Sequence, residues 1–117
     1  SNRRKFPRVN FPCLVTIRGA GGKDEVVLTH TVNIGIGGVS VAVKQNVDMF
    51  SEVRIELDLM DMDKHIICNG KVVWNTPHQG KDKEGFYDLG IEFGDLEPRD
   101  QERLLKAVQR LAKPDSE

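Results

Sequence analysis

The sequence predicts an all-β domain, a six-stranded antiparallel β-barrel with one C-terminal α-helix. Three observations carry that expectation. Apolar and polar residues alternate with period two through most of the chain. Turn-forming stretches, GAGGKD at 19–24, NIGIGG at 33–38 and HQGKDKEG at 78–85, separate several of the alternating runs. The period changes once, after Pro98, to that of an amphipathic helix. Six short strands with tight, glycine-bearing connections suit an antiparallel sheet closed into a small barrel.

The elements follow in order. Residues 1–10 are read as a flexible basic N-terminal arm, because RRKFPRVNFP at 3–12 holds four cations, two prolines and no acid. Residues 11–117 form the barrel domain. Cys13, Val15 and Ile17 alternate with Leu14, Thr16 and Arg18 in the first strand. Further strands are read over Glu25–Val32 and Val39–Val43. Val53, Ile55, Leu57 and Leu59 alternate with Arg54, Glu56, Asp58 and Met60, one dry face against one wet face. His65–Trp74 is the next strand, with Trp74 at its end, and Tyr87, Leu89, Ile91 and Phe93 supply the dry face of the last. A helix over 98–113 places Leu104, Leu105, Val108, Leu111 and Ala112 on one stripe. Pro98 opens it, Asp100 and Glu102 suit its positive end, Arg110 and Lys113 its negative end, and Pro114 stops it.

Composition narrows the function. One domain of 117 residues with a net charge of −1 is not a general polyanion binder. No apolar run approaches the ~20 residues that cross a bilayer, and no secretory leader is legible, so neither membrane insertion nor export is expected. Cys13 and Cys68 sit in apolar segments and read as small buried hydrophobes, consistent with a cytoplasmic location. His30, His65 and His78 are scattered, without metal-ligand spacing, so no metal site is expected. No nucleophile setting or singled-out carboxylate pair is present, so no catalytic residue is assigned and the chain is not read as an enzyme. GAGGKD lacks the spacing of a phosphate loop and is read as a hairpin turn. Nor are aromatics interleaved with cations, as binding of a nucleic-acid polymer would require.

Two stretches carry chemistry. Arg4 and Arg8 present two planar guanidinium forks, which match phosphate oxygens and the O6/N7 edge of guanine; a lysine lacks that paired geometry. Asn33-Ile34-Gly35-Ile36-Gly37-Gly38 places three glycines in four positions between two strands, permitting unusual backbone angles and close ligand approach. Asn33 adds one acceptor and one amide donor at the strand end.

Taken together, these stretches resemble the signature of the PilZ domain, the bacterial receptor module for cyclic di-GMP: R-x-x-x-R before the first strand, then [DN]-x-S-x-x-G. Arg4-Lys5-Phe6-Pro7-Arg8 matches the first motif, and Asn33 and Gly38 match the second, with Gly35 where the family has serine. The resemblance covers essentially the whole chain, including the closing YDLGIEFGDLEPRDQERLLKAVQRL. It implies a ligand rather than a cofactor: cyclic di-GMP, held by Arg4, Arg8, Asn33, Gly35 and Gly38, with Arg3 as a further cation. It implies that Arg4 and Arg8 grip guanine edges and phosphates, that Asn33 faces a guanine's Watson–Crick donors and that Gly38 leaves room for the ligand. The missing serine hydroxyl removes one hydrogen bond, about 1 kcal/mol. The family's behaviour further implies that ligand binding orders the arm and relays a signal to a protein partner. The alternative is a degenerate PilZ domain that binds no nucleotide and serves as a protein–protein interaction module.

Overall fold

The computed structural model describes residues 13–19 and 26–112. Six strands, β1 (Leu14–Arg18), β2 (Val26–Ile34), β3 (Gly38–Val43), β4 (Glu52–Asp58), β5 (Ile66–Pro77) and β6 (Tyr87–Phe93), precede the helix α1 (Pro98–Ala112). The strands close into an antiparallel barrel in the order β1-β2-β3-β6-β5-β4. The predicted architecture is therefore present. The arm at 1–10 and most of the 19–24 turn lie outside the described residues.

Alternation builds the core. Val15 and Ile17 of β1, Ile55 and Leu57 of β4, and Leu89 and Ile91 of β6 are buried, as the period-two pattern requires. Each such side chain contributes roughly 1.5–3 kcal/mol through burial. Tyr87 and Phe93, at the ends of β6, are only partly buried and pack against that core. Leu104 of α1 is fully buried in the same cluster, so the helix joins the core through that side chain.

Three differences from the expected elements have local causes. β5 runs on to Pro77, because a register shift between Val72 and Trp74 lets the strand bend and keep pairing with β6. Trp74 is thus inside a strand. The buried stripe of α1 centres on Leu104, Ala107 and Val108, while Leu105 is half-buried. Lastly, the 78–85 segment contains a short 3-10 turn, Lys81–Lys83.

That turn is clasped by His78, whose Nδ1 lies 2.8 Å from Asp88 Oδ1 and whose Nε2 lies 3.3 Å from Asp82 Oδ1. The bond to Asp88 chiefly raises the imidazole above its ordinary value of 6.5; burial opposes this and Asp82 adds to it. A raised folded-state value means the stabilisation is complete below the unfolded value and is lost as pH rises through the folded one. The gap in unfolding midpoint between the native chain and His78→Gln should accordingly be widest below the ordinary value of 6.5 and narrow as pH rises above it. A gap that stays constant across this range in a thermal melt series would contradict the clasp.

Candidate functional site

The Asn33–Gly38 stretch forms the hairpin between β2 and β3. Ile34 pairs with Val39, and Gly35 N–H donates to the Gly38 carbonyl at 2.9 Å, leaving Ile36 and Gly37 at the tip. The Phe93 N–H donates to the Gly37 carbonyl at 2.9 Å, which ties the turn to the end of β6. The glycines divide the work differently from the sequence expectation. Neither Gly37 nor Gly38 occupies the left-handed region. A Cβ on Gly38 would lie 2.2 Å from the Ile91 carbonyl oxygen, so glycine there is demanded by the approach of β6. Gly37 is the open position, exposed and with nothing within 4 Å of an added Cβ. Gly35 is buried.

A register shift in β2 between Thr31 and Asn33 precedes the turn. Such bulges re-aim side chains. Asn33 Oδ1 is buried and accepts no hydrogen bond among the described residues. A buried acceptor without a donor costs about 1–3 kcal/mol, so this atom is unfavourable in the fold by itself.

Around it the outer face of the barrel forms a neutral platform, in which Ser40 and Gly90 are themselves buried. Asn33 pairs with Ser40, Ser40 with Gly90, and Gly90 with Trp74, one residue from each of β2, β3, β6 and β5. Leu89 and Ile91 point inward, so Gly90 faces out. A Cβ on Gly90 would lie 2.1 Å from Trp74 Nε1, which places the half-buried indole over the outer face of Gly90. Sequence reasoning places Trp74 only at the end of a strand. The signal it lacked was a pairing across 16 residues between the only tryptophan and a glycine in β6.

The adjoining row has the wrong sign for an anion. Gly38, Glu92, Lys71 and Glu52 pair in succession, and a cavity of about 430 Å³ beyond them is lined by Glu52, Glu92 and Asp95 against one cation, Lys71. An anionic ligand at the hairpin therefore needs positive charge from elsewhere. Arg3, Arg4 and Arg8, the expected source, lie outside the described residues. The register does fix the root of the arm. The Thr31 N–H donates to the Cys13 carbonyl at 2.9 Å and the Cys13 N–H donates to Thr31 Oγ1 at 3.0 Å. The chain thus enters β1 beside the strand that carries Asn33.

Other chemistry is not assembled. Among the described residues no group of three or more His, Cys, Asp or Glu is arranged to hold a metal ion. Cys13 and Cys68 are free and buried, and burial pushes both thiols up to about 11, so neither is an activated nucleophile. No helix among the described residues is long and apolar enough to cross a membrane.

Comparison with known proteins agrees with this architecture. A family model described as the PilZ domain matches residues 2–110. The fold is similar to that of Bacillus subtilis MotI/DgrA, an inhibitor of motility, with a TM-score of 0.80 at 19% identity, covering 98% of this chain and 54% of that one. It is also similar to the PilZ domain of Escherichia coli YcgR, solved with c-di-GMP, with a TM-score of 0.74 at 12% identity over 96% of this chain and 93% of that one. The K. pneumonia MrkH–c-di-GMP complex gives a TM-score of 0.74 at 20% identity over 96% and 52%. The chain thus spans about half the length of the MotI and MrkH chains. Among curated proteins, no sequence matches.

Proposed function

The chain belongs to the PilZ domain family, and on that premise we propose that it is a cyclic di-GMP receptor domain without catalysis of its own. The dinucleotide would lie between the N-terminal arginines and the Asn33–Gly38 hairpin. The observation that carries this reading is the buried, unpartnered Oδ1 of Asn33. Guanine offers N1–H and N2–H donors side by side, and an orphaned amide oxygen can accept from one of them. Local burial strengthens that bond. The half-buried Trp74 indole, three strands further on, offers a π surface to a base.

Arg4 and Arg8 supply the charge that the surroundings of the hairpin lack. Arg8 is five residues upstream of Cys13, at most about 18 Å of extended chain, and Cys13 is hydrogen-bonded to Thr31 beside the β2 bulge. Guanidinium forks bind phosphate oxygens in pairs, and Arg3 is a further cation for the second phosphate. On this reading the arginines repel one another until a dianion neutralises them. Binding then draws the arm across the barrel, and a protein partner reads the rearranged surface. The setting is the cytoplasm, consistent with two free buried cysteines.

Calorimetric titration with cyclic di-GMP tests the reading, and Asn33→Ala sharpens it. Loss of the acceptor should weaken binding about fivefold, equivalent to ~1 kcal/mol. The unfolding midpoint should not fall and should rise by a few degrees, because the substitution removes a buried acceptor that accepts no hydrogen bond among the described residues. Absence of heat from the native chain at high micromolar ligand rejects the receptor. Gly35 favours the second reading, a PilZ domain that has lost nucleotide binding and keeps the barrel as an interaction module, and that same blank titration would support it.

A further inference from the structure

Another cavity lies between α1 and the loop joining β4 to β5. It measures about 310 Å³ and is lined by Leu59, Asp61, Arg103, Lys106, Ala107 and Arg110. Its floor is apolar, since Leu59 and Ala107 are buried. Its one carboxylate is already engaged: Arg103 Nη2 donates to both Asp61 oxygens at 2.9 and 3.0 Å. Burial works against ionisation of Asp61, yet the bonds and charge of Arg103 outweigh it and hold the carboxyl below its ordinary value. Lys106 and Arg110, one helical turn apart and exposed, make no ion pair among the described residues. Among the described residues, the rim of the groove therefore keeps two cations outside any ion pair.

Beside it stand two exposed methionines. Met60 is 61% exposed and Met62 fully so, and both adopt left-handed backbone angles, φ 60° and 64°. Such angles are unfavourable for a long side chain and persist only where surroundings enforce them. Here Asp58 accepts from the Met60 N–H at 2.8 Å, and Asp61, braced by Arg103, accepts from the Asp63 N–H at 3.1 Å. The loop is thus held in a form that keeps both thioethers in water. Methionine adapts its shape to a partner at small cost.

We infer that this groove is a docking site for an acidic segment of a partner protein, a peptide that inserts one apolar side chain over Leu59 and Ala107 and sets carboxylates against Lys106 and Arg110. Charge complementarity selects the flanking acids, and the concave apolar floor selects an inserted side chain over a flat lipid surface. The inference does not depend on the nucleotide reading, since no residue of the hairpin takes part.

A phage-displayed library of random peptides about 12 residues long, selected on the native domain, tests it. Bound sequences should be enriched in Asp and Glu around a Leu, Met or Phe. The best of them, synthesised and titrated by fluorescence anisotropy, should lose at least about tenfold in affinity against Lys106→Glu/Arg110→Glu. Met62→Ala should weaken it less, and amide NMR shifts should cluster at 59–62 and 103–110. The charge-reversed positions are exposed, and an unchanged unfolding midpoint confirms that the variant is folded. No enrichment, selected peptides without acids, indifference to charge reversal, or shifts mapping elsewhere would each overturn the inference. Tighter binding to phosphatidylserine-containing vesicles than to any selected peptide would overturn it in favour of a lipid surface.

Discussion

Gly38→Ala is expected to destabilise the domain by about 3 kcal/mol or more, lowering the unfolding midpoint by roughly 10–20 °C. The added methyl would meet the Ile91 carbonyl oxygen at 2.2 Å, the Ile91 carbonyl carbon at 3.1 Å and Glu92 Cα at 3.2 Å. All three are backbone atoms of β6, so no rotamer change relieves the clash, and the β3–β6 pairing must open. Gly37→Ala is the control. Nothing lies within 4 Å of its added methyl and its φ is outside the left-handed region, so the midpoint should shift by no more than a few degrees. Thermal unfolding followed by circular dichroism reads both. If Gly38→Ala melts with the native chain, the close approach of the two strands is not what requires glycine. The comparison bears on function as well, because an effect of Gly38→Ala on ligand binding has to be measured on the folded fraction alone.

Arg8→Ala is expected to weaken cyclic di-GMP by about 30- to 150-fold, the equivalent of ~2–3 kcal/mol. The platform of Asn33, Ser40, Gly90 and Trp74 carries no charge, and the neighbouring row is acidic at Glu92 and Glu52. On the proposed reading the ligand's two phosphates would therefore depend on the arm. Arg8→Lys should recover only part of the loss, since an ammonium supplies charge without the paired donors. The native chain should also show the steeper salt dependence. Calorimetry at two ionic strengths distinguishes these outcomes. Equal affinities for native and Arg8→Ala proteins would remove the arm from the site.

Much of the fold was readable from the residues in order. The alternation of Val53, Ile55, Leu57 and Leu59 against Arg54, Glu56 and Asp58 predicts a strand with one dry face, and all four apolar members are buried. The shift to helical spacing after Pro98 gave α1 with its start at that proline. Local periodicity suffices for such elements because burial acts on one element's face at a time. The stripe of α1 was less secure. Leu105 and Ala107 both fit a helical pattern, and which one faces the barrel depends on how the helix is rotated on its partner.

The hairpin and its surroundings mark the boundary. Asn33, Gly35 and Gly38 were singled out by composition and motif, but the reason for Gly38 was not legible: the atom that excludes a side chain belongs to Ile91, 53 residues later. The same holds for Trp74 over Gly90 and for the groove between Leu59 and α1. A linear pattern records what each residue prefers, so it determined the strands, the helix and the arginine and glycine motifs. Which strands become neighbours depends on closing the barrel in the order β1-β2-β3-β6-β5-β4. That closure brings distant residues within van der Waals and hydrogen-bonding range, interactions that act through space over a few ångströms and leave no periodic trace along the chain. The orphaned acceptor, the glycine pressed against a carbonyl and the basic groove were therefore decided by tertiary structure alone.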